Sequence, residues 1–159
     1  IQQYEFDNTH FQSFIALFPK SEIEDELSFE NKLWQQLYHL HLCDDKSWDS
    51  EVDQNPDSSN FSFSIHGRAF YVVGMHPKSS REARRSPMPA LVFNLHDQFE
   101  KLRRMGVYQR IKNTIRRRDK KLQGTINPML RDFGKDSEAK QYSGRQVDGD
   151  WKCPYTFKD

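Results

Sequence analysis

The stretch from Phe61 to Met75 constrains this chain's fold most tightly. Phe61, Phe63 and Ile65 alternate with Ser62 and Ser64, the two-residue period of a strand with one buried face. Ala69 to Met75 then runs Ala-Phe-Tyr-Val-Val-Gly-Met, long enough for a buried strand and far too short for a membrane span. His66-Gly67 or Gly67-Arg68 lies between the two runs and can take the positive φ of a tight turn. The two strands are therefore predicted to pair as an antiparallel hairpin. Ala90 to Asn94 supplies a third short strand.

Helical spacing marks the rest. Phe11, Phe14, Ile15 and Phe18 predict a short helix within Tyr4 to Phe18, stopped by Pro19. Ser21 with Glu24 reads as a capping box for a second helix with an acidic first turn, whose apolar stripe is Leu33, Trp34, Leu37, Tyr38 and Leu40. Asp44 to Asn60 reads as a surface loop with Trp48 as its anchor. His96 to Met105 sets Leu95, Phe99 and Leu102 on one face, and Gly106 closes that helix. The next helix gathers Val107, Ile111, Ile115 and Leu122 on one face, with Arg110, Arg116, Arg117, Arg118 and Lys121 around the rest. Apolar residues make up only 35% of the chain, but twelve Phe and 13% aromatics argue for a packed core rather than disorder. The expected class is α+β: a small, mostly antiparallel sheet packed with several helices, one domain over residues 1–159 with an irregular C-terminal tail. Within it, residues 1–60 form an acidic helical segment and loop, and residues 61–155 form the core. The chain starts at Ile1 with no leader pattern, so part of the natural amino terminus is expected to be missing.

A net charge of +1 conceals a polarised chain. Residues 1–60 hold three basic and thirteen acidic side chains; the remainder hold twenty-one basic and ten acidic. The halves can attract each other, or the basic half can bind a polyanion. The cations from Arg103 to Lys121 offer a nucleic-acid surface, but only Tyr108 interleaves as an aromatic and no base-reading motif is present, so nucleic acid is the secondary expectation. Two cysteines, Cys43 and Cys153, form no disulfide framework, which favours a cytoplasmic setting without a membrane span; a homodimer is left open.

The densest chemistry lies in Gly74-Met-His-Pro-Lys-Ser-Ser-Arg-Glu-Ala-Arg-Arg85, a loop leaving a strand end. Ser79, Ser80, Arg81, Arg84 and Arg85 are donors suited to carboxylates or phosphates, although the spacing is not that of a Walker loop. His76 can serve as a metal or haem ligand or as a hydrogen-bonded loop histidine. His96 opens a helix and can equally be a cap, and Cys153 in Trp-Lys-Cys-Pro-Tyr is either a thiolate ligand or a small packed residue. No His-Glu-x-x-His or clustered-cysteine pattern supports a zinc site.

Several strings resemble the YqcI/YcgG family. They are the Gly74–Arg85 segment, Pro89-Ala-Leu-Val-Phe-Asn-Leu-His-Asp-Gln-Phe-Glu-Lys-Leu-Arg103, Ile115-Arg-Arg-Arg-Asp, Leu122-Gln-Gly-Thr-Ile-Asn-Pro-Met-Leu, Asp132-Phe-Gly, Ser137-Glu-Ala-Lys-Gln-Tyr-Ser-Gly-Arg145 and Asp150-Trp-Lys-Cys-Pro-Tyr155. The resemblance covers Phe61 to Tyr155; Ser86 departs from the aromatic expected after the paired arginines. It implies a haem-dependent monooxygenase of the type of the N-hydroxylases of guanitoxin and D-cycloserine biosynthesis. Such an enzyme would use haem b, O2 as co-substrate and an external electron donor to hydroxylate a guanidino or amino nitrogen of an arginine-like small molecule. His76 is then the first-ranked iron ligand, Cys153 the second and His96 the third, with His96 otherwise a distal proton donor. Ser80, Arg81, Arg84, Arg85 and Arg145 would hold the cofactor, its propionates above all; Gln141, Tyr142 and Ser143 would supply protons or orient oxygen. Glu138, Asp132 and Asn127 are candidate clamps for a cationic substrate. A non-enzymatic haem sensor or a nucleic-acid-binding module is the alternative.

Overall fold

A computed structural model describes residues 11–129 and 131–157. Its centre is a four-stranded, fully antiparallel sheet of β1 (Ser13–Leu17), β2 (Phe63–Ile65), β3 (Arg68–Met75) and β4 (Ala90–Leu95), in the order β1-β4-β3-β2. The expected hairpin forms with Ile65 opposite Arg68. His66 (φ 57°) and Gly67 (φ 70°) both take the left-handed conformation that a two-residue turn demands. His66 accepts it without being glycine because its backbone N–H donates to the Asp44 carboxylate at 2.5 Å.

Two sequence expectations change here. The segment around Phe14 is the edge strand β1, not a helix; its portion before residue 11 lies outside the described residues. Phe11, Phe14, Ile15 and Phe18 satisfy helical spacing, yet Phe14 instead faces Phe93 across the β4 ladder while Ile15 and Leu17 stay exposed on the other side. The second helix, α1 (Glu26–Leu42), starts four residues later than Ser21 would place its cap: Asp25 accepts from the Ser28 N–H at 2.7 Å, and the Ser28 hydroxyl returns to the Asp25 N–H.

One face of the sheet carries Phe63, Phe70, Val72, Leu91, Phe93 and Leu95, and α1 covers it with Phe29, Leu33, Trp34 and Leu37. Gly74 lets this contact close: a Cβ there would lie 2.6–2.8 Å from Phe29, Leu33 and the Tyr142 carbonyl. The irregular tail completes the core, with Phe157 packed among Trp34, Trp48, Phe61 and Phe63. Ser62 and Ser64 are also buried, so β2 is covered on both sides rather than half-exposed.

The other face carries α2 (His96–Arg104), whose Phe99 ring meets Tyr71 edge-on at 6.0 Å. α3 (Tyr108–Gln123) follows after Gly106 (φ 68°) and ends at the left-handed Gly124. Its roll is set by buried Asp119, which pairs with Arg81 at 2.6 Å; Ile115 and Leu122, expected to face inward, are consequently 55% and 58% exposed. A short helix, α4 (Ala139–Tyr142), lies along the part of β3 that three-residue β2 leaves unpaired. There the Tyr142 hydroxyl accepts from the Phe63 N–H at 3.0 Å and sits 3.2 Å from the Phe70 carbonyl.

Candidate active-site cleft

The basic loop after β3 has its donors turned into the protein. A 3-10 turn (Glu82–Arg84) folds it back so that the His76 N–H reaches the Arg84 carbonyl at 3.0 Å. Arg84 is buried and donates to the carbonyls of Gly74, Gln141 and Tyr142, tying the loop to β3 and α4. Arg81 is equally buried and grips Asp119, the Thr125 hydroxyl and the Thr125 carbonyl. Ser80 bonds the Glu26 carboxylate through both its N–H and its hydroxyl. Arg85 donates to the Ser79 carbonyl and pairs with Glu82; Arg145 grips buried Glu30 through Nε at 2.8 Å and Nη2 at 2.5 Å. These five residues, expected to surround one cofactor, each bond a different set of groups in the chain.

His76 is fully buried, its ring stacked on Phe29 at 4.2 Å, and neither ring nitrogen has a hydrogen-bond partner among the described residues. Burial holds its pKa below the ordinary histidine value. Cys153 packs against the core, where burial pushes its thiol up to about 12; that disfavours the thiolate a metal would need. Neither residue lines the large cleft described next.

That cleft opens between α2, α3 and the second face of the sheet and is half open to solvent. Phe99, Leu102, Ile111, Ile115 and Phe133 make its lining strongly apolar. His96 stands at its wall because β4 ends at Leu95 and α2 begins at the next residue, so the strand end fixes the imidazole. The ring meets Phe133 edge-on at 4.5 Å, and Nε2 lies 3.8 Å from Glu100 one turn along. Desolvation lowers the His96 pKa, with Glu100 opposing, and so favours the neutral imidazole that a metal requires.

Polar groups converge on the floor. The Tyr71 hydroxyl donates to Gln141 Oε1 at 3.1 Å, and burial pushes its pKa up to about 12. Glu138 is buried and forms no ion pair among the described residues; its Oε1 accepts from the Tyr142 hydroxyl at 2.5 Å, and burial pushes its pKa up to about 8. A neutral carboxylic acid at the bottom of an apolar cleft can give up its proton when a cation or a base arrives. At the rim, both Asp132 oxygens take Lys112 Nζ at 2.7 Å, and these bonds hold the Asp132 carboxyl below the usual range. Arg103 pairs with Glu100 and lies over the Tyr108 ring at 4.6 Å, while Arg116 has no ion-pair partner among the described residues.

Of the three residues expected to handle protons, only Gln141 lines the cleft. Tyr142 is buried behind Glu138, and the Ser143 hydroxyl donates to Glu30 at 3.2 Å. Glu138 and Asp132 are both in the cleft, whereas Asn127 is not: it donates its N–H to Asp119 beside Arg81. Phe99, Leu102, Lys112 and Phe133 carry no signal of the site in the sequence, while Tyr71 lies in the Phe70–Val73 strand stretch expected to line an apolar slot. Phe133, inside Asp132-Phe-Gly, gives no sign of its facing His96. The nearest approach to a metal-ligand cluster among the described residues is Asp44, Asp45 and His66 beside the hairpin turn, none of which lines the cleft.

The model of the YqcI/YcgG family matches residues 1–156, so the match extends through the first sixty residues, beyond the Phe61–Tyr155 stretch that carries the resemblance. An uncharacterized protein of Bacillus subtilis (strain 168), YqcI, is 29% identical over 141 residues, covering 84% of this chain and 54% of the relative. The chain thus spans about half the length of that curated relative. No solved structure matches.

Proposed function

The chain belongs to the YqcI/YcgG family, and on that premise we propose that it is a haem-dependent oxygenase, hydroxylating a guanidino or amino nitrogen of a small arginine-like molecule with O2 and an external reductant, in the cleft beneath α2 and α3. One observation supports this reading above the others: a buried imidazole opens onto an apolar cleft whose rim carries cations. A haem requires those three things, an apolar slot, an axial donor and partners for its propionates. His96 is the donor best placed to hold the iron, in preference to His76 behind Phe29. Arg103, Lys112 and Arg116 are the cations best placed for the propionates.

When bound, haem supplies oxygen activation, and the rest falls to the chain's own side chains. Phe99, Leu102 and Ile111 give the cleft its apolar wall. Glu138 holds a proton at the floor and, on losing it, becomes the carboxylate that a guanidinium or ammonium needs. Tyr71 fixes the Gln141 amide so that its NH2 can orient a polar substrate atom.

The test is reconstitution with haem, followed by optical spectra before and after reduction under carbon monoxide. We expect one haem per chain with an imidazole-type carbon monoxide complex; His96→Ala should lose it, and His76→Ala should keep it. A thiolate-type band would move the ligand to Cys153, and failure of the folded protein to take up haem would overturn the proposal.

A further inference from the structure

The outer face of α3 is a second surface with a distinct chemistry. Arg110, Arg117, Arg118, Lys120 and Lys121 occupy it without a single carboxylate, because the helix's one acid, Asp119, is turned inward to Arg81. All five are exposed, and none has an ion pair among the described residues. Ile115 and Leu122, 55% and 58% exposed, run along the border of this cationic stripe. The helix carries the stripe up to the cleft, since Ile115 and Arg116 also line its wall.

We propose that this face docks a small acidic electron-transfer protein, the reductant that the oxygenase reading requires and on which this inference rests. Charge complementarity selects the partner's sign: a stripe of one sign steers an oppositely charged protein, and redox encounters of this kind need only a small interface. The bordering Ile115 and Leu122 suit a protein surface better than a phosphate backbone. The aromatic platforms that single-stranded nucleic acid needs are also missing from the stripe: Tyr108, the helix's one aromatic, lies under Arg103 and is bonded to Asp132. A partner seated on Arg117, Arg118 and Lys121 would lie across the width of α3, about 10 Å, from the cleft wall that Ile115 and Arg116 form. One electron would then pass from a reduced iron–sulfur cluster to ferric haem, leaving the cluster oxidised and the haem ferrous.

The experiment uses a plant-type [2Fe–2S] ferredoxin as the probe and calorimetric titration against the whole chain at low and high salt. Binding that weakens steeply with salt is expected, and a triple charge reversal (Arg117→Glu, Arg118→Glu, Lys121→Glu) should reduce it at least tenfold. The neutral triple, with Gln at the same positions, should fall between the two. On haem-loaded protein, reduction by ferredoxin should slow by a similar factor in the charge-reversed variant, while reduction by dithionite stays unchanged. Equal ferredoxin affinities for wild type and variants would overturn the docking face. So would loss of duplex DNA retention in the triple variant with ferredoxin binding intact, which would assign the stripe to nucleic acid. If the chain takes up no haem, the oxygenase reading falls by itself, and the titration still decides whether the stripe binds an acidic protein.

Discussion

The loop after β3 and the cleft beneath α2 both concentrate polar side chains, but they use them in opposite ways. In the loop, Arg81 and Arg84 are buried and their donors end on carbonyls and carboxylates of the same chain. In the cleft, burial favours the neutral form of His96, and neither Glu138 nor Arg116 forms an ion pair among the described residues. Density of charged residues in the sequence therefore points to the element that locks the fold, whereas the cleft holds a buried carboxyl outside the ion pairs of the described residues.

The strongest way to break this contrast is to remove a guanidinium from each region. Arg81→Ala leaves Asp119 buried and short of its counter-charge, so denaturant unfolding should show a loss of about 3–5 kcal/mol. Arg116→Ala, at the cleft rim, should cost less than about 0.5 kcal/mol. Equal losses would mean that the loop is not the lock.

Glu138→Gln sharpens the comparison through pH. Glu138 takes its proton at about 8 in the folded protein, against an ordinary 4.5, so over that window the unfolded chain releases a proton that the folded one keeps. Stability should be unaffected by this group below pH 4.5, fall as pH rises through the window at up to about 1.4 kcal/mol per unit, and level off above about 8. Thermal unfolding of Glu138→Gln across the same range should lack that slope. A parallel decline in both proteins would show that the carboxyl is already compensated.

A small effect is also expected at His76. Its two ring nitrogens make no hydrogen bond, so His76→Leu removes a buried polar ring without orphaning a partner, and unfolding should shift by no more than about 1 kcal/mol in either direction. A loss of several kcal/mol would reveal a bond to this imidazole and weaken the case for ranking His96 above it.

The hairpin, β4 and the limits of α2 and α3 were legible because local signals agree: alternation, a turn at His66-Gly67, and glycines at 106 and 124. The α1 stripe was legible too, through Leu33, Trp34 and Leu37. β1 was not, because a short edge strand that leaves Ile15 and Leu17 exposed places apolar residues on both faces and so mimics helical spacing. Apolar spacing likewise misjudged α3, whose roll follows the distant Arg81–Asp119 pair rather than its own stripe. Glu138, Asp132 and Gln141 could be named from their strings, but their meeting with Tyr71 and His96 depends on α4 lying beside β3, which no local pattern encodes.

The Tyr142 hydroxyl stands in for a rung of the β2–β3 ladder and also anchors Glu138. The floor of the cleft and the centre of the sheet are thus mechanically one object, and a change of residue at the floor is also an edit to the scaffold. Diversification of what the cleft accepts must then run through the rim, at Leu102, Ile115 and Phe133, where a side chain can change size without reaching the ladder. Evolution, or an engineer, inherits a fixed bottom and an adjustable mouth.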